Sequence, residues 1–246
     1  MISKNELKYI QSLSQKKTRD IEGIFIAEGI KLVNELLQSD IVIKKIYATE
    51  EWIAEHQQQP NIIKVNPEEL KKISTQSTPN QVLAIAEKKK LATEPLLKNK
   101  ITLVLDGIQD PGNFGTIIRI ADWFGIDQII ASSDTADLYN SKVIQSTMGS
   151  IIRVNVWYKD LTTWLSKAGT PVYGALLNGV NIYHVKPIKE GLLVIGNESK
   201  GIRENLLPFI QHTVTIPKNS AAESLNAAVA TGIILSHLVV SSELSM

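Results

Sequence analysis

Three short stretches hold the residues best suited to chemistry: Asn113 and Arg119 in LDGIQDPGNFGTIIRIADWFG (105–125), Glu198 in LLVIGNESKGI (192–202), and Ser224 and Asn226 in IPKNSAAESLNAAVATGIIL (216–235). In each, an apolar strand-like run breaks at glycine, asparagine or proline before a helix-like run. Ligands of α/β folds bind at the carboxyl ends of strands, so the repeated layout predicts one composite site. At about 100° per residue Arg119 lies roughly 200° round from Ile117, off the face shared by Ile117, Ile120, Ala121 and Phe124. It reads either as a planar fork that grips a phosphate or carboxylate, or as a surface arginine paired with Asp122 or Asp110. Asn113, near Gly112 and Gly115, reads as a site amide or as a turn or helix cap. Glu198 is either a site carboxylate or an ordinary acidic residue at a helix start. The alanines and Gly232 around Ser224 and Asn226 suit a packed helix, or the close approach of a flat ligand.

The glycines Gly107, Gly112 and Gly115 lack the GxGxxG spacing of dinucleotide sites, and no P-loop lysine follows them. With no cysteine in 246 residues, disulfides, thiolate metal sites and cysteine nucleophiles are excluded. No metal is expected. Neither a signal peptide nor a membrane-length apolar run is visible, so the expectation is a soluble, cytoplasmic protein with no membrane role. The net charge of +1 puts any nucleic-acid contact on local patches. One comprises Lys4, Lys8, Lys16, Lys17 and Arg19 against Glu6 and Asp20, the other Lys88, Lys89 and Lys90. Each reads as a solvated surface or as an RNA contact.

The elements that must position these residues fall into two groups. Residues 1–90 read as a small α/β domain with helix 28–38, strands 42–49 and 62–65, helix 67–74 opened by Pro67, and strand 81–87. Residues 91–100 read as a linker containing Pro95. Residues 101–246 read as a second domain with strands 101–105, 128–132, 152–157, 172–177, 192–196 and 213–216. Several of these are nearly continuous apolar runs between helical stretches, which predicts a parallel sheet covered on both faces. A final helix is expected from about Ala221 to Val240, with Ser220 and Glu223 as its capping box.

Taken in order, the three stretches resemble the motifs of the SpoU (TrmH-like) RNA ribose 2′-O-methyltransferases of the SPOUT superfamily. Asn113, Gly115 and Arg119 match N-x-G-x-x-x-R. Gly196, Asn197, Glu198 and Gly201 match a strand ending in G-N-E with a nearby glycine, and Ile216, Pro217, Ser224, Leu225 and Asn226 match I-P followed by S-L-N. In QSTMGSIIRV (145–154), Ser146 and Gly149 differ by one residue from the family's commonest Ser-x-Gly spacing. The resemblance covers about residues 101–240, and residues 1–90 resemble, more weakly, the family's ribosomal-protein-like substrate-binding domain.

The resemblance implies a C-terminal SPOUT parallel sheet with a deep trefoil knot, a homodimer packed through that knot, and S-adenosyl-L-methionine as methyl donor. It implies catalytic roles for Arg119, Asn113, Glu198, Ser224 and Asn226, and cofactor binding around Leu176, Gly196, Ile216 and Leu225. The implied substrate is a ribose 2′-hydroxyl of RNA, ribosomal RNA ahead of transfer RNA. A non-catalytic RNA-binding protein on the same fold is the alternative from another class. A base methyltransferase of the superfamily would use a different residue set, typically an aspartate base, and the first motif separates the two.

Overall fold

Apolar runs bounded by glycine or polar residues form the strands, and several of the helices open on a side-chain cap. The computed structural model describes residues 2–219, 221 and 223–239. In chain order the elements are α1 (Lys4–Ser12), α2 (Lys16–Glu22), β1 (Ile24–Glu28), α3 (Ile30–Leu37), β2 (Ile43–Ala48), α4 (Glu50–Glu55), β3 (Ile62–Lys64), α5 (Pro67–Ile73) and β4 (Val82–Glu87). They continue with β5 (Ile101–Asp106), α6 (Pro111–Trp123), β6 (Gln128–Ser132), α7 (Ser141–Thr147), β7 (Asn155–Lys159), α8 (Leu161–Leu165), β8 (Val172–Asn181), β9 (Gly191–Gly196), β10 (His212–Thr215) and α9 (Ala227–Leu238). Short 3-10 turns occur at Ser150–Ile152, Ile182–His184 and Glu204–Phe209.

Two compact units result, and neither is continuous in sequence: residues 1–91 with 137–152, and residues 92–136 with 153–246. The first carries a four-stranded sheet in the order β1-β4-β2-β3, antiparallel except for the β2–β3 pair. One face packs on α1 and α5 through Ile10, Leu13, Leu70 and Ile73; the other holds Val33 of α3 and the fully buried Trp52 of α4. The capping box of α5 is complete, Asn66 accepting from the Glu69 amide while Glu69 accepts from the Asn66 amide. Arg19, expected in a surface patch, is buried: it bonds Asp137 at 2.5 Å and donates to the Leu13 and Ser14 carbonyls. Lys16 and Lys88 share Asp20, which they hold below the usual carboxylate range, and Lys89 donates to the Ile152 carbonyl. Exposed Lys4, Lys8, Lys17 and Lys90 have no ion pair among the described residues.

The second unit is built on a wholly parallel six-stranded sheet, ordered β10-β8-β9-β5-β6-β7. Its central strands are sealed on both faces, Leu103, Val104 and Leu105 of β5 and Leu192, Leu193 and Val194 of β9 being fully buried. Burying each such side chain contributes about 1.5–3 kcal/mol. Residues of the expected linker are held here, Gln128 exchanging two hydrogen bonds with the Leu96 backbone and Trp157 donating to the Ala92 carbonyl. Two expectations shift. The strand expected at 152–157 begins at Asn155 after a 3-10 turn, and β8 runs on to Asn181. The last helix begins at Ala227, not near Ala221, because the Asn226 side chain caps it by accepting from the Ala228 and Val229 amides. Ser220 and Val240 of that expectation lie outside the described residues.

Candidate functional site

Strands β5 and β9 run in register from Ile101 opposite Gly191 to Asp106 opposite Gly196, so the first two motifs leave the sheet side by side. After β5, Pro111 opens α6 and Asp110 caps it, accepting from the Asn113 amide at 2.7 Å. The cap is therefore Asp110, which frees the Asn113 side chain in the first turn. After β9 the chain folds into a closed turn, with two backbone hydrogen bonds between Asn197 and Gly201. Gly201 sits at φ +67°, and a Cβ on Gly196 would fall 2.2 Å from the Gly201 carbonyl carbon. The Asn197 side chain accepts from the Ser199 amide and donates to the Gly107 carbonyl at 2.9 Å, tying the turn to the end of β5. Glu198 thus stands at the tip of a pinned turn rather than at a helix start.

Three residues, one from each motif, meet through hydrogen bonds. Asn113 donates to Glu198 at 2.5 Å, and Asn226 donates to the Asn113 side-chain oxygen at 2.8 Å. Asn226 does this while capping α9, so one side chain both starts a helix and joins the cluster. Beside it, α6 and α9 border an open groove of about 360 Å³ lined by Asn113, Thr116, Ile120, Asn226, Val229 and Ile233, among others.

Arg119 and Ser224 are not part of this cluster. Arg119 lies about 9 Å further along α6 than Asn113 and roughly 120° away around its axis. It is exposed and has no hydrogen bond or ion pair among the described residues. Neither expected surface partner takes it: Asp122 is bound by Arg153, two contacts being 2.9 and 3.0 Å, and Asp110 caps the helix. Ser224 is exposed before α9, also without a hydrogen-bond partner among the described residues.

Of the residues expected around a methyl donor, Gly196 ends β9 and Ile216 follows β10, while Leu176 lies within β8 and Leu225 just before the α9 cap. Leu176 and Ile216 are partly buried, on β8 and just past β10, and Leu225 is 47% exposed. Among the described residues, the backbone of Ile216 and of Leu225 makes no hydrogen bond to other backbone. Free amides and carbonyls next to half-covered apolar side chains fit an adenosine carrying an amino-acid chain.

Asp106 and Arg203 form a further charged pair that the motif patterns do not single out. Asp106, 1% exposed at the end of β5, accepts from the Arg203 amide at 2.8 Å and from its guanidinium at 2.5 Å. Arg203 also reaches Asp134 at 3.3 Å. The Asp106 bond raises the Arg203 pKa, while the Ser132 hydroxyl and Arg203 hold Asp134 below its ordinary value. A carboxylate ending the otherwise apolar run ITLVLD was the available signal.

Comparison with known proteins places these observations. The model of the SpoU rRNA Methylase family matches residues 100–236, and that of an MRM3-like substrate binding domain matches residues 4–84. The 23S rRNA (guanosine(2553)-2′-O)-methyltransferase RlmP of Bacillus subtilis is 33% identical over 234 residues, 93% of each chain. An AdoMet-bound rRNA methyltransferase from Sinorhizobium meliloti is 31% identical, with a TM-score of 0.84 over 97% of this chain and 96% of that one. A TrmH-family protein from Porphyromonas gingivalis is 34% identical, with a TM-score of 0.87 over 97% and 98%. Among the described residues no helix is long and apolar enough to cross a membrane, and no group of three or more His, Asp or Glu side chains is placed to hold a metal ion.

Proposed function

We propose, on the premise that this chain belongs to the SpoU rRNA methylase family, that it transfers a methyl group from S-adenosyl-L-methionine to a ribose 2′-hydroxyl of RNA, with ribosomal RNA as the target class. The observation that carries the reading is the hydrogen-bonded run Glu198–Asn113–Asn226, which joins all three motifs at one place.

When bound, S-adenosyl-L-methionine supplies a methyl already activated by its sulfonium. The protein's task is to align the acceptor oxygen with that methyl and to ease loss of the hydroxyl proton. A guanidinium is in general a poor base at neutral pH, so the role of Arg119 is to hold the adjacent RNA phosphate and stabilise the developing alkoxide. The proton then leaves to that phosphate or to water. Glu198 and Asn113 orient the nucleotide, and Asn226 and Ser224 shape the pocket wall. Leu176, Gly196, Ile216 and Leu225 hold the cofactor, chiefly through backbone groups.

Residues 1–90 are assigned to RNA capture, 91–100 to a linker and 101–246 to methyl transfer. The deep trefoil knot, the homodimer packed through it and a cytoplasmic location belong to the same reading. The dimer is supported by exposed apolar residues of α6 and α9, Trp123 at 84% and Val229 at 51%. Two modest basic patches on one structured RNA add affinity without a strongly basic chain.

The test uses RNA from the source organism after deletion of this gene, incubated with the protein and methyl-labelled S-adenosyl-L-methionine. Label in a dinucleotide that resists alkali, because its 2′-oxygen is blocked, is the expected result; label on a base, or none, overturns the proposal. Arg119→Ala should cut kcat by roughly 10²–10³-fold while leaving cofactor affinity unchanged.

A further inference from the structure

We propose that Arg203 is a positioning residue for this reaction: by clamping the exit of the 196–203 turn onto Asp106, it fixes where the Glu198 carboxylate meets Asn113. The inference rests on the function proposed above. The turn is tied at both ends to one short piece of chain. At its entry, Gly196 pairs in register with Asp106 and Asn197 donates to the Gly107 carbonyl. At its exit, Ile202 is buried and Arg203 commits its backbone amide and its guanidinium to Asp106, with a further bond to Asp134. None of these bonds touches Glu198, so Arg203 acts on it only through the backbone between them.

The same piece of chain, Asp106 to Asp110, leads into α6 and places Asn113. Donor and acceptor of the Asn113–Glu198 bond are therefore both referenced to the end of β5, and Arg203 closes the frame. A planar fork that takes a carboxylate alongside its own amide fixes orientation as well as distance, which a lysine's point charge does not. A shift of about 1 Å at a reacting group costs on the order of a hundredfold in rate.

The full-length protein is assayed with RNA from the deletion strain and labelled S-adenosyl-L-methionine, below the melting transition of every variant. Arg203→Met should lower kcat roughly ten- to a hundredfold with the RNA KM within about twofold, and Arg203→Lys should recover part of the loss. The neutral pair Asp106→Asn with Arg203→Met removes the buried charge imbalance, and should regain thermal stability without regaining kcat. In a Glu198→Gln background, Arg203→Met should cost less than about threefold more, because both changes act on one contact. The idea is overturned if Arg203→Met lowers Tm alone, if the two losses multiply, or if the RNA KM and its salt slope change with kcat intact, as for a phosphate contact. A wild-type protein that transfers no label defeats the functional reading itself, whereas active wild type with equally active Arg203→Met defeats only this step.

Discussion

The two central strands of the parallel sheet are neighbours in register, yet β5 and β9 hand the chain on in opposite ways. From β5 the backbone passes through Gly107 into a long capped helix; from β9 it closes a five-residue turn before a short 3-10 segment. Each exit carries a carboxylate. Asp106 is buried and neutralised by a guanidinium, whereas half-buried Glu198 is bonded to the neutral amide of Asn113 and has no cationic partner among the described residues. Only the second keeps electrostatic capacity for a ligand. Under the proposed function, which acidic residue is structural and which is chemical is thus set by the neighbour it is given.

The sharpest way to break this contrast is Glu198→Ala, expected to lower kcat by about a hundredfold while moving the unfolding midpoint little, since the residue stands on a surface turn. Gly196→Ala attacks the turn itself: the added methyl meets backbone rather than a flexible side chain, so a loss of roughly 1–3 kcal/mol in denaturant titration is expected, with weakened cofactor binding by calorimetry. Asn226→Ala removes the α9 cap and should cost about 1 kcal/mol along with part of the turnover. The smallest effect concerns Asp134. Its pKa is depressed in the folded protein, so its contribution is present above the ordinary carboxylate pKa of about 4 and is lost as pH falls through the lower folded value. Asp134→Asn should therefore be less stable than wild type at neutral pH and converge with it in acid, a comparison made by denaturant midpoints across that range.

The central strands were legible because continuous Val, Ile and Leu runs admit few other placements in a parallel sheet. Pro67 likewise marks the α5 start that the structure shows. The start of α9 differs from the expected one for a local reason: Asn226, not the capping-box pattern upstream, caps the helix, and that choice comes with its bond to Asn113 from 113 residues away in sequence. Strand β1 was hidden because IFIAE runs straight into α3 with only Gly29 between, and the helical pattern took in its last residue. Arg19 looked like any other cation in a basic stretch. Its burial depends on Asp137, 118 residues further on, which no pattern within the first ninety residues could supply. Type and spacing single out the motif residues, but their division into a bonded trio and two side chains with no partner among the described residues is a property of the folded chain.

That distant aspartate bears on how portable the first unit is. Residues 137–152 leave the other unit's strand succession between β6 and β7 and join the N-terminal sheet, bringing Asp137 to Arg19 and Tyr139 to Phe25. A fragment cut at residue 90 would strand a buried guanidinium without its counter-charge, a defect worth about 3–5 kcal/mol where a buried pair loses one member. The N-terminal region is therefore no detachable module: grafting it onto another enzyme would need residues 137–152 spliced in as well.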